Sequence, residues 1–484
     1  MPYTFMLKKY SKAIVVIVLT ALLVRVVFVL FGAELYYGKQ NFFETGDTYS
    51  YTQCAKNLAE HGTFRGILDD PKSVAARLPA YPLLMTAVYL ISGNDVDLMY
   101  QIMIWIQIVL DVASVFILYQ LCYFISKSYR LGIVTALIYA LYPFAIIWVP
   151  LISSETMGIF TMLLGLMFLA RKRNKTDFLF GGVFIALSAL CRPQNLIFIP
   201  VFVFVYLLYN IRNLKFALLP ITLALIGFSG VYGSWITRNY ILLDKFIPFS
   251  DSRGGMETFS KDVVACRKYI YSLQSDWNPQ FFQIVRNEKV EWPEIAFVSK
   301  EDSLMLLRAE YLAKNCGYGF SYWREYWNKD NAQIPIEESC CDSIVYYFSK
   351  LRTNQIKAHP FHYKIIIPLQ NLRKALFKTS MVNEKKGIFG LAITMLFLYR
   401  SLLILIGFIG VYLMLRKKNL YGLFIFLFFA VVYYYICFTV RNIEMRYFLN
   451  NDILMLVPAA WVIVNIYKWF AIKRHSRKPE QFAV

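Results

Sequence analysis

Apolar residues fall in long unbroken runs along this chain, not in the half-polar alternation of a soluble fold. The runs lie near residues 13–31, 99–125, 131–148, 157–170, 178–190, 196–208, 216–236, 388–415, 420–438 and 453–470. A helix needs about 20 apolar residues to cross a bilayer. The pattern therefore predicts an all-α polytopic membrane protein of about ten transmembrane helices. The fourth to sixth runs fall short of a full crossing, which predicts tilted or re-entrant helices there.

Two polar interruptions stand out. The first outer loop, residues 32–98, holds helix-compatible stretches at Tyr49–His61 and Pro82–Ile91 that are too short to span. The second, residues 238–387, is of domain size and mixed charge. Its Trp277, Trp292, Trp323 and Trp327 predict a packed core of its own. The chain thus divides into an N-terminal transmembrane catalytic module (1–237), an extracytoplasmic mixed domain (238–387), and C-terminal transmembrane helices with a basic cytoplasmic tail (388–484).

Composition sharpens the picture. The 484 residues are 58% hydrophobic yet carry a formal charge of +20. With the N-terminus inside, the cytoplasmic segments hold 19 cations, among them Lys127, Arg130, Arg171–Arg173, Arg212 and Arg416–Lys418, against only Asp177 and Glu480. Basic residues in short loops favour the cytoplasmic side, so both termini are expected there. The basic excess is thereby explained by topology and membrane lipids, and nucleic acid is not an expected partner. A basic start followed by an apolar run also fits a secretory signal, but no small-residue cleavage site follows, so the run reads as an uncleaved anchor.

Four cysteines, Cys266, Cys316, Cys340 and Cys341, fall in the external domain, where an oxidising compartment permits bridges. Four thiols allow three pairings, and the adjacent Cys340 and Cys341 are expected to take separate partners. No C-x-x-C pair or suitably spaced His accompanies them, so no zinc site is expected.

A charge at bilayer depth costs about 2.5–3.5 kcal/mol on insertion scales and is kept mainly for function. On this topology the candidates gather outside. Asp47, within Gly-Asp-Thr-Tyr-Ser-Tyr, and Arg77 lie in the first outer loop. Ser154-Glu155 opens span four, Arg192-Pro193 turns between spans five and six, Arg238 ends span seven, and Arg441, Glu444, Arg446 and Tyr447 precede span ten. Taken singly, Glu155 could cap a helix and Arg192 or Arg238 could snorkel to headgroups. Together they predict one site at the outer leaflet. Arg25 sits deeper and reads as a snorkelling or helix-pairing residue.

These residue types suit sugar transfer from a lipid phosphate. The phosphate leaves without a proton but needs cations, and arginine presents a fork matched to its oxygens. One general base then suffices. Asp47 would take the proton of the acceptor hydroxyl as the new bond forms, with inversion, while Glu155 orients the acceptor. Arg77, Arg192, Arg238 and Arg446 are the phosphate-binding candidates, and Tyr51 and Tyr81, with Tyr49, could stack on the sugar or bind phosphate through their hydroxyls. No metal or other cofactor is required, although the residues leave room for a divalent ion bridging Asp47 or Glu155 to phosphate.

At these positions the chain resembles the GT-C superfamily of integral membrane glycosyltransferases, particularly the bacterial branch related to protein O-mannosyltransferase and lipid A aminoarabinose transferase. The resemblance rests on Asp47 in an acidic first outer loop, Arg77-Leu-Pro-Ala-Tyr-Pro82, Ser154-Glu155, Arg192-Pro193, Trp235-Ile-Thr-Arg-Asn-Tyr240 and Arg446-Tyr447 in that order. It implies a polyprenyl-phosphate-linked sugar donor, Asp47 as base, Arg77 as a phosphate-binding cation, and an envelope glycan, lipid or protein acceptor at a bacterial inner membrane. Where the aminoarabinose transferase type has D-E-x-R-Y, this chain has Asp47-Thr-Tyr-Ser-Tyr51, and Arg192, Arg238 or Arg446 would replace the missing arginine. A transporter or lipid-linked-sugar flippase is the alternative, and it predicts ionisable groups near mid-membrane and broken helices in repeated halves.

Overall fold

The computed structural model describes residues 3–68, 71–249, 260–327, 340–377 and 388–476, and the long apolar runs within them are largely helical. In chain order the first half contains α1 (Tyr3–Val27), α2 (Ala33–Tyr37), α3 (Thr48–His61), α4 (Ala80–Ile91), α5 (Val96–Ser126), α6 (Tyr129–Ala140), α7 (Pro143–Ile146), α8 (Glu155–Arg171), α9 (Lys175–Cys191), α10 (Phe198–Tyr209) and α11 (Lys215–Leu243). There follow α12 (Lys261–Leu273), α13 (Asn278–Val285), α14 (Lys300–Asn315), α15 (Tyr318–Trp327), α16 (Cys341–Ala358) and α17 (Ile367–Phe377), then α18 (Ile388–Arg416), α19 (Leu420–Tyr434) and α20 (Leu449–Ser476).

Among the described residues six helices are long and apolar enough to cross a membrane: Lys12–Tyr37, Val96–Ser126, Lys215–Leu243, Gly390–Arg416, Leu420–Val440 and Leu449–Phe470. The chain is a membrane protein. The shorter α8, α9 and α10 match the fourth to sixth runs, expected to fall short of a full crossing, whereas the third run, expected to be a span, is divided between α6 and the one-turn α7. After α7 the chain is irregular from 147 to 154, yet wholly buried. Open backbone at membrane depth is tolerated only where protein satisfies it. Gln107 of α5 does so by donating through Nε2 to the carbonyls of Val149 (2.8 Å) and Leu151 (2.9 Å), and Thr48 donates to that of Ile152 (2.9 Å).

Glycine permits one close approach that no other residue could. A Cβ on Gly182 of α9 would stand 2.0 Å from the Ala224 carbonyl oxygen of α11, and one on Gly227 of α11 would stand 2.1 Å from that of Leu179. Helices in lipid associate through such small-residue seams because they have no hydrophobic drive toward one another.

Ionisable groups do not collect only at one face, which corrects the expectation from sequence. Arg25 of α1 is completely buried and donates to Asp111 of α5 (2.7 Å), whose other oxygen accepts from Tyr139 of α6 (2.6 Å). It pairs helices and does not snorkel. Arg400 of α18 donates twice to Asp452 of α20 (2.6 and 3.0 Å) and also to the carbonyls of Ala375 and Leu376 at the end of α17 (3.0 and 3.1 Å). Tyr142 donates to the same carboxylate (3.1 Å).

The described part of 260–377 is helical and packs its own core from Val263, Phe281, Leu306, Phe320, Ile344 and Phe348. Trp277, Trp292 and Trp323 pad that core, while the Trp327 side chain lies outside the described residues. Cys316 and Cys340 form a disulfide; Cys266 is buried, and Cys341 accepts a hydrogen bond from the Tyr318 N–H (3.1 Å).

Candidate active site

Asp47 stands at the N-cap of α3, where a carboxylate ordinarily accepts from the first helical N–H groups, yet its side chain makes no cap bond. Both its oxygens face arginines instead. Arg77 Nη2 donates to Oδ1 (2.7 Å), and Arg446 Nη1 donates to Oδ2. All three side chains keep about a fifth of their surface open, at 21–22% exposure, so the cluster is partly sheltered but reachable. Arg77 is fixed further by donating through Nε to Ser50 (2.6 Å) and by lying over the Tyr51 ring (4.9 Å). Arg446 is fixed by donating through Nε to Glu444 (2.6 Å), which also accepts from Asn442 (2.9 Å) and Tyr447 (3.0 Å).

Burial alone would raise the Asp47 carboxyl, but Arg446 and then Arg77 overcome it and hold the acid well below the usual carboxylate range. Burial would lower Arg446, and the neighbouring Asp47 and Glu444 carboxylates instead push it above its ordinary value. The Tyr447 hydroxyl is pushed up, by burial first and the Glu444 charge second.

A second acid–arginine pair adjoins the first. Glu155, in the first turn of α8, pairs with Arg192, and both are buried. Arg192 leaves α9 in extended geometry because the following Pro193 disfavours helix. Its Nη2 donates to the Arg446 carbonyl (3.4 Å), and its buried Nε has no protein partner among the described residues. Tyr51 bridges the two pairs, with its ring beneath Arg77 and its hydroxyl 3.2 Å from that of Ser154. The cluster holds Asp47, Glu155 and Glu444 against Arg77, Arg192 and Arg446, so it is charge-balanced as it stands.

The structure thus brings Asp47, Arg77, Tyr51, Glu155, Arg192 and Arg446 together at one end of the bundle, and of the three replacement arginines Arg446 is the one that reaches Asp47. Tyr81 lies underneath, its ring wholly buried edge-on to Tyr51 and its hydroxyl donating to Gln107 (3.0 Å). Arg238 is engaged elsewhere: it donates to the carbonyls of Val74 (2.7 Å) and Phe64 (2.9 Å), tying α11 to the connection between α3 and α4. Tyr49 is exposed. Ser50, Gln107 and the glutamate at 444, which orients Arg446, carry more of the site than sequence reasoning gave them. Among the described residues no three His, Cys, Asp or Glu side chains gather as a metal-ligand set.

No family model and no curated protein sequence matches the chain. Solved structures do. The oligosaccharyltransferase AglB of Archaeoglobus fulgidus, in complex with an inhibitory peptide and a dolichol-phosphate, superposes with TM-score 0.52 at 12% identity, covering 99% of this chain and 53% of that one. The apo form of the Archaeoglobus fulgidus oligosaccharyltransferase gives 0.51 at 13% identity, covering 98% and 53%. ArnT of Cupriavidus metallidurans bound to undecaprenyl phosphate gives 0.36 at 10% identity, covering 91% and 77%, too loose a superposition to build on. At such identity the likeness is one of fold: the helices are arranged as in the archaeal oligosaccharyltransferase. The chain spans about half the length of the archaeal oligosaccharyltransferase it matches.

Proposed function

We propose that this chain is a membrane glycosyltransferase that moves a sugar from a polyprenyl-phosphate donor to a hydroxyl of a cell-envelope acceptor (lipopolysaccharide, O-antigen, another glycan or a protein) at the outer face of the membrane. The observation that carries the reading is the carboxylate of Asp47 held between two arginines beside a second acid–arginine pair. Nothing in a membrane-spanning bundle requires six ionised side chains at one point, whereas phosphate-linked group transfer requires both cations and a base.

The acceptor oxygen attacks the anomeric carbon while the bond from that carbon to the phosphate oxygen breaks, and the electron pair stays with the polyprenyl phosphate. Asp47 takes the hydroxyl proton, and attack opposite the leaving group inverts the centre. Arg77 and Arg446 stabilise the charge that grows on phosphate, Arg192 offers its partnerless Nε to an incoming oxygen, and Glu155 orients the acceptor. The buried mid-bundle pairs Arg25–Asp111 and Arg400–Asp452 join helices to one another and lie apart from this chemistry.

Purified protein given a radiolabelled polyprenyl-phosphate sugar and crude envelope acceptor is expected to transfer label, and Asp47→Asn is expected to abolish transfer with expression intact. Full transfer by that variant would overturn the assignment of the base; no transfer by the wild-type protein from any such donor would overturn the enzyme reading.

A further inference from the structure

Among the described residues the resting cluster pairs each of its arginines with a carboxylate and so holds no uncommitted cation for a phosphate. Arg77 and Arg446 each aim a guanidinium edge at a different oxygen of one carboxylate, so Asp47 is bracketed from two sides as a bound anion would be. The two arginines come from opposite ends of the chain, one 30 and the other 399 residues away from Asp47, and among the described residues they share no other hydrogen-bond partner. Their remaining hydrogen bonds, to Ser50 and to Glu444, go through Nε and fix each guanidinium plane while leaving the terminal nitrogens directed at the Asp47 seat. A two-arginine seat built around two oxygens is the geometry of a phosphate site.

We infer that Asp47 occupies the donor's phosphate seat in the free protein, and that the donor phosphate displaces it from Arg77 and Arg446, so that binding of the lipid is the event that frees the base. The inference rests on the proposed donor chemistry and adds an order to it: donor first, base released second, acceptor deprotonated third. A carboxylate clasped by two guanidiniums is a poor base, and burial favours the neutral acid once those cations have turned to phosphate. Charge also balances. A phosphodiester donor carries one negative charge into a neutral cluster, and transfer of the acceptor proton neutralises Asp47 as the departing phosphate monoester gains its second charge. The same device protects the site without donor, since an acceptor or water meets no competent base.

An intramolecular anion competes with its ligand, and the test exploits this. Binding of a polyprenyl phosphate to full-length protein in nanodiscs is measured for wild type, Asp47→Asn and Asp47→Ala, with the matching polyprenyl alcohol as control and thermal melting to confirm folding. Both variants are expected to bind the phosphate more tightly, roughly tenfold or more, although they transfer no sugar. Formate at millimolar concentration is expected to refill the vacated seat in Asp47→Ala and weaken phosphate binding there, with little effect on wild type. Weaker or unchanged phosphate binding by both folded variants overturns the displacement while leaving the donor assignment standing. Equal binding of phosphate and alcohol by the wild type overturns the donor assignment and the displacement with it.

Discussion

The pair formed by Arg400 and Asp452 is the joint on which the C-terminal helices hang, and its removal has a predictable asymmetry. Both side chains are at most 1% exposed, and the guanidinium donates four hydrogen bonds at 2.6–3.1 Å, two to the carboxylate and two to the last carbonyls of α17. In Arg400→Met the carboxylate keeps only the Tyr142 hydroxyl among the described residues, and the Ala375 carbonyl loses the Arg400 donor while that of Leu376 keeps the Ser401 hydroxyl (3.4 Å). Leaving one partner of a buried pair uncompensated costs about 3–5 kcal/mol, whereas replacing both by apolar residues of similar volume is often neutral or stabilising. Arg400→Met and Asp452→Leu are therefore each expected to lose about 3–5 kcal/mol, and the double variant to recover most of it, for a coupling of about 3 kcal/mol or more. The nine tryptophans provide an intrinsic signal for unfolding in mixed micelles titrated with a denaturing detergent. Single variants that lose less than about 1 kcal/mol, or a double variant as unstable as the sum of the singles, would refute the idea that burial of the ions dominates their energetics.

Gly182→Leu is expected to part α9 from α11 and destabilise by at least about 1–3 kcal/mol, while Gly233→Ala on the same α11, with nothing within 4 Å of its Cβ, is expected to be neutral or slightly stabilising in the same assay. Asp47 is held well below its unfolded value near 3.9, so its contribution to stability is present above that pH and disappears only as pH falls toward the folded value. In the free protein the acid is therefore ionised throughout pH 5–8, and kcat/KM for the donor is expected to show no acid limb from Asp47 in that window. The acceptor's kcat/KM reports the donor complex, where the arginines have turned to phosphate, and is expected to fall on the acid side; identical profiles for the two substrates would contradict the displacement. Cys316→Ser and Cys340→Ser are each expected to destabilise the helical domain by about 3 kcal/mol, with the double variant no worse than either single, and thiol labelling with and without reductant is expected to report the pair oxidised.

What the sequence disclosed and what it hid follow from the range of each signal. Apolar runs are local, so the helical segments of the ten runs and the two short helices of the first long loop, α3 and α4, could be placed from composition alone, although six of the helices in the described residues are long enough to cross a membrane. Arg77 and Asp47 are near in sequence and share a loop, and their pairing was foreseeable. The union of Asp47 with Arg446 was legible only as a shared membrane face, because nothing local in the chain distinguishes Arg446 from Arg238, which became a structural tie to two carbonyls. Asp111 and Arg400 were overlooked for a different reason. A single charge hardly disturbs the mean hydropathy of a long apolar run, yet a charge inside such a run demands a partner, and looking for that partner would have found both buried pairs.

The helical domain also bears on the site, through a residue that touches no catalytic candidate. Arg441 sits at the end of the last turn after α19 with φ of 62°, a backbone conformation that costs a non-glycine residue energy and persists only where surroundings hold it. What holds it is the domain. Its guanidinium donates to the carbonyls of Tyr271 (3.1 Å) and Tyr363 (2.9 Å) and stacks 3.7 Å from the centre of the Tyr363 ring. Glu444 and Arg446 follow within five residues on the same short connection to α20. The far end of that connection is set by the buried Asp452, which Arg400 grips while also gripping the end of α17. The turn bearing Arg446 is thus pinned at both ends by contacts that involve the domain. A shift of that domain against the bundle would move Arg446 relative to Asp47.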